Sequence, residues 1–317
     1  MTNSCFLPNS NIQWAWDSTS LSYFKTCPRL YQYIMIDGYA PKDESIHLRF
    51  GTEYHKALED YDRLKASGLD HEDSLFETVR EALYRVNGWD PDPDSKAGKV
   101  KNRRSLISTI IWYLDQYKDD PAQTFIRNDG TPAVELSFQF DLDWGPGVVT
   151  SEERGHQNYT LCGHLDRVVV FNDEVFGLDH KTTSSGLTDY YFAQFEPNNQ
   201  MTLYTLATKV VLNASVKGII IDAAQLTTSG TNFGRRFTYR TSDQLEEWLR
   251  DLHQWLLAAE RYAAEGYWPQ NDTACDKYGG CRFREICSKS PQARERFLEA
   301  GFVKAEEEDR WNPLKTR

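Results

Sequence analysis

The chain opens with apolar residues at helical spacing and changes to strand spacing near its middle. In "DSTSLSYFKTCPRLYQYIMI", Ser and Thr caps precede Leu21, Phe24, Leu30 and Ile34 at helical intervals, and Pro28 divides the stretch into two short helices. In "RFGTEYHKALEDYDRLKAS", Tyr54, Leu58, Tyr61 and Leu64 share one face, which predicts an amphipathic helix ending near Gly68. Further helical patterns cover residues 72–86 and 103–117, with the polar loop "GWDPDPDSKAGK" between them. From Ala133 the period becomes two. "AVELSFQFDLDW", "YTLCGHLDRVVVF" and "EVFGLDHKT" predict three successive strands in an antiparallel meander, the last two joined by a tight turn at Asn172 and Asp173. A helix over 189–212 follows, then the strand "VKGIIIDAAQLT", a strand at "RRFTYR" and a helix over 242–266. That order (helix, three strands, helix, strand) predicts an α/β fold with inserted helices.

The length of 317 residues, enough to bury roughly 75% of the unfolded surface, permits one large domain or two smaller ones. The expected organisation is a single domain over 1–317, with a helical insertion at 68–130 and a polar tail at 291–317. No run of about 18 apolar residues occurs, and the opening "MTNSCFLPNSNIQ" lacks a basic start and an apolar signal core, so a cytoplasmic protein without a membrane partner is expected. The net charge of -11 opposes a polyanion at long range unless positive charge is gathered locally. Two basic clusters qualify, "KAGKVKNRR" and "GRRF". "KVKNRR" reads as a solvated face at a helix start, while Arg235 and Arg236 are candidates for contacting phosphates.

Candidate chemistry concentrates where the apolar run of "VFGLDHKTTS" ends in charge. Side chains alternate along a strand, so Asp179 and Lys181 share one face and His180 takes the other. The preceding strand carries Asp166, and antiparallel pairing through the short turn brings it near Asp179. Two close carboxylates repel unless a cation sits between them, and Mg²⁺ or Mn²⁺ suits oxygen ligands while leaving room for water and a phosphate oxygen. Plain ion pairs at the strand ends, Asp166 with Arg167 or Asp179 with Lys181, are the alternative.

The order of these residues resembles the PD-(D/E)XK nuclease superfamily, and within it the RecB-like nucleases related to the AddB and CRISPR-adaptation enzymes. Gly51 and His55 are similar to that family's G-x-x-x-H helix, Asp166 in "GHLD" to its first strand carboxylate, "DHK" to its D-x-K step, and Gln200 with Tyr204 in "QMTLY" to Q-x-x-x-Y. The resemblance implies a restriction-endonuclease-like core in which His55, Asp166, Asp179 and the His180 carbonyl hold the metal. It further implies Lys181 as the catalytic lysine, with Gln200 and Tyr204 lining the site. Residues four apart share a helix face, which agrees with the last pair.

Cys275, Cys281 and Cys287 are spaced six apart in a Gly-containing loop, wider than usual for zinc knuckles. Cys27 in "KTCPRLY" supplies a fourth thiolate, and a 4Fe-4S cluster held by Cys27, Cys275, Cys281 and Cys287 would staple the two ends of the chain, with 268–290 as the cluster-binding loop. The resemblance supports this arrangement. A zinc site and unligated thiols are the alternatives. Cys162 reads as a core thiol, and Cys5 belongs to a flexible start.

These readings point to a metal-dependent deoxyribonuclease, acting as an exonuclease on single-stranded DNA or a free DNA end in recombination, repair or phage replication. Tyr23, Phe24, Tyr31 and Tyr33, and also Tyr190, Tyr191 and Phe192, are candidates for stacking on unpaired bases. The competing readings are a nucleic-acid-binding or scaffold subunit that no longer cuts, and a hydrolase of RNA or another phosphate ester. A recombination or replication protein is a possible partner whose identity the sequence does not give.

Overall fold

The computed structural model describes residues 4–8, 10–147, 157–276, 280–306 and 310–315. In chain order its elements are β1 (Ala15–Trp16), α1 (Ser18–Thr26), α2 (Pro28–Tyr31) with a π-helical turn at Gln32–Ile36, β2 (Tyr39–Pro41), α3 (Ile46–Ala66), α4 (His71–Arg85) and α5 (Arg103–Gln116). Strands β3 (Gln123–Thr124), β4 (Val134–Asp141), β5 (Thr160–Phe171) and β6 (Glu174–Thr183) follow, then α6 (Asp189–Ala193) and α7 (Asn199–Leu212). The chain finishes with β7 (Val216–Thr227), β8 (Gly230–Tyr239), α8 (Ser242–Glu265), α9 (Arg284–Cys287), α10 (Arg294–Gly301) and β9 (Phe302–Lys304). Contacts divide it into two compact units, one of residues 1–43, 137–163 and 242–317, the other of residues 44–136 and 164–241.

The first unit gathers both ends of the sequence. Asp17 caps α1, its carboxylate accepting the Ser20 N–H at 2.8 Å, so the cap lies one residue ahead of the Ser and Thr that the pattern offered. Pro28 ends α1 and starts α2, as its missing N–H dictates. Trp16, Phe24, Tyr31 and Trp268 pack as an aromatic core, and a second cluster forms around Tyr33, Phe283 and Phe302. Phe24, Tyr31 and Tyr33 are therefore buried and not free to stack on bases. Cys5 is buried against Ala15 and Cys162, which corrects the reading of it as part of a flexible start.

The second unit is a mixed α/β assembly. Its strands run in the order β5–β6–β7–β8, with β3 also pairing with β5. β5 and β6 are antiparallel, joined by Asn172 and Asp173 at φ 50° and 62°, the left-handed pair that a two-residue hairpin turn requires. β6 and β7 are parallel, and α6 and α7 make the crossover between them. β7 and β8 return antiparallel. Phe176 to His180 of β6 are all buried, the mark of a strand flanked on both sides and covered on both faces. Helices α3, α4 and α5 enclose a separate apolar cluster around Phe50, Tyr54, Leu58 and Leu106.

The single helix expected over 189–212 is two. Pro197 has no N–H to give a helix and restricts Glu196 before it, so α6 ends at Ala193. α7 then starts afresh under Asn198, whose side chain accepts the N–H groups of Gln200 and Met201. Arg240 locks the break from behind by donating to the Phe195 carbonyl and the Thr202 hydroxyl.

Candidate active site

The metal-site residues that the sequence proposed for phosphodiester chemistry fall in the second unit, around the middle of β5 and the C-terminal half of β6. The β5–β6 register pairs Arg167 with Leu178, which puts Asp166 and Asp179 opposite each other one step further on. Asp166 Oδ2 accepts the backbone N–H of His180 at 2.8 Å and lies 3.3 Å from His55 Nδ1 on α3. Lys181 Nζ lies 2.5 Å from Asp179 Oδ2, on the same side of β6. Gln200 Oε1 accepts from Lys181 Nζ at 3.0 Å, and Gln200 Nε2 donates to the Tyr204 hydroxyl at 3.1 Å. His55, Asp166, Asp179, Lys181, Gln200 and Tyr204 are thus linked in one continuous chain of contacts and charges.

The two carboxylates are electrically unlike. Burial alone would raise both, but at Asp166 the His55 ring and its hydrogen bond, with the charge of Lys181, reverse that and hold the carboxyl well below the usual range. Asp179 is 2% exposed, and burial together with the neighbouring Asp166 charge raises it against the pull of Lys181. His55 is also raised, because Asp166 outweighs the burial that opposes its charge. The close Lys181 ammonium is the partner of Asp179 Oδ2, an ion pair almost wholly out of solvent on the carboxylate side.

His180 points to the opposite face, as strand alternation requires. Burial keeps its imidazole neutral, and it sits beside Asp222, its register partner on β7, with Nδ1 3.7 Å from Asp222 Oδ2. Asp222 in turn pairs with Arg235, its register partner on β8, and accepts from the Tyr113 hydroxyl. Arg235 also binds Asp120 through two nitrogens and lies over the Tyr117 ring. Arg235 is consumed by this internal network, which corrects its assignment as a phosphate contact. Asp222 was legible as a lone acid inside the apolar run "GIIIDAAQ", the same signal that marked Asp179, but it escaped the reading.

On the open side, Tyr190 of α6 is 91% exposed and Arg236 is largely exposed over the Phe192 ring. Phe192 itself is buried. The neighbouring Tyr191 hydroxyl is pushed up to about 12 by burial and by the charge of Asp179.

In the first unit Cys27, Cys275, Cys281 and Cys287 line one cavity of about 290 Å³, and none is in a disulfide. The backbone N–H of Asn271 donates to Cys27 Sγ at 3.2 Å. Burial raises the thiols of Cys275 and Cys287, and each feels the charge of Cys27 and Cys281. Part of the loop between Cys275 and Cys281, residues 277–279, lies outside the described residues.

A family model described as the PD-(D/E)XK nuclease superfamily matches residues 16–288. The chain belongs to the PD-(D/E)XK nuclease superfamily. Its coarse activity is therefore that of a nuclease, its substrate class is nucleic acid, and the mixed sheet with flanking helices is that superfamily's restriction-endonuclease-like core. PD-(D/E)XK nucleases generally use Mg²⁺ or Mn²⁺. No curated protein matches the chain. Among solved structures, one from Eubacterium rectale, described as a candidate exonuclease, is similar at 10% identity with a TM-score of 0.45, covering 88% of this chain and 90% of that one. Another, the protein SSO0001, shares 12% identity with a TM-score of 0.30 over 75% of this chain and 74% of its own. Both likenesses are too distant to bear on function.

Among the described residues, no group of three or more His, Cys, Asp and Glu side chains stands close enough together to hold a metal ion. Protein groups occupy the carboxylates instead: Lys181 on Asp179, and His55 with the His180 N–H on Asp166. The donor set nevertheless fits a hard divalent cation, since it offers the oxygens of two buried carboxylates and one imidazole. No described helix is long and apolar enough to cross a membrane.

Proposed function

We propose that this nuclease hydrolyses DNA phosphodiesters with a divalent cation held by His55, Asp166, Asp179 and the His180 carbonyl, and that it acts on single-stranded DNA from a free end. The observation that carries the reading is the pairing of two buried carboxylates, Asp166 and Asp179, on adjacent strands with His55 and Lys181 against them. Two buried carboxylates this close repel each other, and a divalent cation between them would relieve that repulsion. When bound, Mg²⁺ or Mn²⁺ would supply Lewis acidity at the scissile phosphate.

The chain's own residues do the rest. Because Gln200 donates to Tyr204, its carbonyl oxygen is turned toward Lys181, and this fixes the ammonium at the mouth of the site. There Lys181 orients the attacking water and neutralises charge that builds on the phosphate as the bond to the leaving oxygen breaks. His55 and the His180 N–H hold Asp166 ionised, so one carboxylate is ready as a ligand without prior loss of a proton. An exposed Tyr190 beside the site, with Arg236 nearby, suits stacking and backbone contact on an unpaired strand of any sequence.

In the first unit, four thiols lining one cavity offer the donor set of a 4Fe-4S cluster. We propose that the cluster is structural, because hydrolysis transfers no electrons. End-labelled linear and circular DNA, single-stranded and duplex, incubated with Mn²⁺ tests the catalytic reading. Products from linear single strands, and none with Asp179→Ala, support it; full cleavage by that variant removes it.

A further inference from the structure

Lys101 was expected on a solvated face, yet it is 3% exposed. It lies in the segment between α4 and α5, with Nζ 3.2 Å from the Thr182 hydroxyl and over the ring of Phe50. Among the described residues no carboxylate stands within ion-pair distance of it. Burial alone pushes this ammonium down to about 8. A buried cation without a counter-ion is costly, and such groups are ordinarily paired or bound to an anion. Alternation turns Thr182 to the His180 face of β6, opposite Lys181, so this amine stands at the same end of the strand as the carboxylates but on the face against α3.

Helix α3 supplies the surroundings. His47, Gly51 and His55 are spaced by four and share one helix face, each step advancing about 6 Å. His55 meets Asp166, Gly51 stands beside Thr182, and His47 feels Lys101, whose charge adds to burial in holding that imidazole below its ordinary range. Gly51 is not demanded by packing: a Cβ there would lie 3.8 Å from Thr182 Oγ1, an ordinary contact, and its backbone is helical. Glycine in a helix interior costs about 1 kcal/mol relative to alanine. The missing side chain instead keeps the space over Thr182 clear. Gly51 and Thr182 are both partly open to solvent.

We propose that the His47–Gly51–His55 face of α3, with Lys101 beside it, is the track on which the substrate strand lies next to the scissile phosphate, and that a phosphate of that strand is the counter-ion of Lys101. This track rests on the nuclease reading above. Lys101 is a substrate-contacting residue supplied by the helical segment before the sheet. Gly51 sets the clearance. The flexible four-carbon stem of a lysine allows the ammonium to move from the Thr182 hydroxyl to a phosphate over Gly51.

The test uses the full chain carrying Asp179→Asn to stop cutting, and anisotropy of a labelled single-stranded oligonucleotide over a range of salt. Lys101→Met is expected to weaken binding on the order of tenfold and to lower the slope of log affinity against log salt by about 1, while Lys101→Arg retains both. Gly51→Leu, a change that favours the helix, is expected to weaken binding with an unchanged or raised Tm. If Lys101→Met does not fold, Gly51→Leu decides. Wild-type affinity and salt slope in both variants would overturn the track and leave the nuclease reading intact, whereas a parent protein that binds no DNA would overturn both.

Discussion

The strand end at Asp179 and the cavity at the four cysteines are both candidate metal centres, but they solve the problem of gathered negative charge in different ways. At the strand end the chain supplies its own counter-charges, with Lys181 on Asp179 and His55 with a backbone N–H on Asp166. The ligands are held in place before any ion arrives. In the cysteine cavity the thiols have few protein partners beyond the Asn271 N–H on Cys27, and burial raises those of Cys275 and Cys287. A site that is preorganised by protein groups keeps its fold when a ligand is lost, while a site that depends on its occupant does not.

The sharpest way to break the comparison is to remove charge at the strand end. Asp179→Ala and Lys181→Ala are each expected to lower kcat for DNA cleavage by at least about a thousandfold, with circular dichroism and Tm close to wild type. The reverse face of β6 carries the next effect. Arg235→Met takes the nearest cation from both Asp222 and Asp120, leaving the Tyr113 hydroxyl on one and the more distant Arg167 on the other, and is expected to cost about 3 kcal/mol in urea unfolding. In the cysteine cavity the balance should invert: Cys281→Ser is expected to remove bound iron and to lower Tm on the order of 10 °C in protein purified without oxygen. An unchanged Tm together with an unchanged iron content would equate the two regions and end the contrast.

The smallest effects sharpen it. Gln200→Ala releases Lys181 and is expected to reduce kcat about tenfold with little change in KM, since a supporting hydrogen bond is lost and a ligand is not. Tyr204→Phe removes only the partner that orients Gln200 and is expected to cost a few-fold.

What was legible in the sequence follows the same division. Residues fixed by local periodicity could be read: alternation placed Asp179 and Lys181 together with His180 behind them, and four-residue spacing put Gln200 beside Tyr204. The hairpin turn at Asn172 and Asp173 was enough to set Asp166 opposite Asp179. Residues whose partners come from distant segments were not legible. Arg235 looked like a surface cation because nothing local announces Asp120, Asp222 and Tyr113. Lys101 sat in a basic run that resembled a solvated helix start, and its burial depends on α3 and β6. The break between α6 and α7 was written in Pro197 and Asn198, but the apolar pattern ran through it and won.

Manganese binding followed by electron paramagnetic resonance, in wild type and in Asp179→Asn, reads the strand end without reliance on turnover. The account expects the wild type to bind Mn²⁺ and Asp179→Asn to lose most of that affinity while keeping its fold. Equal binding by the two proteins, or none by the wild type, would contradict it.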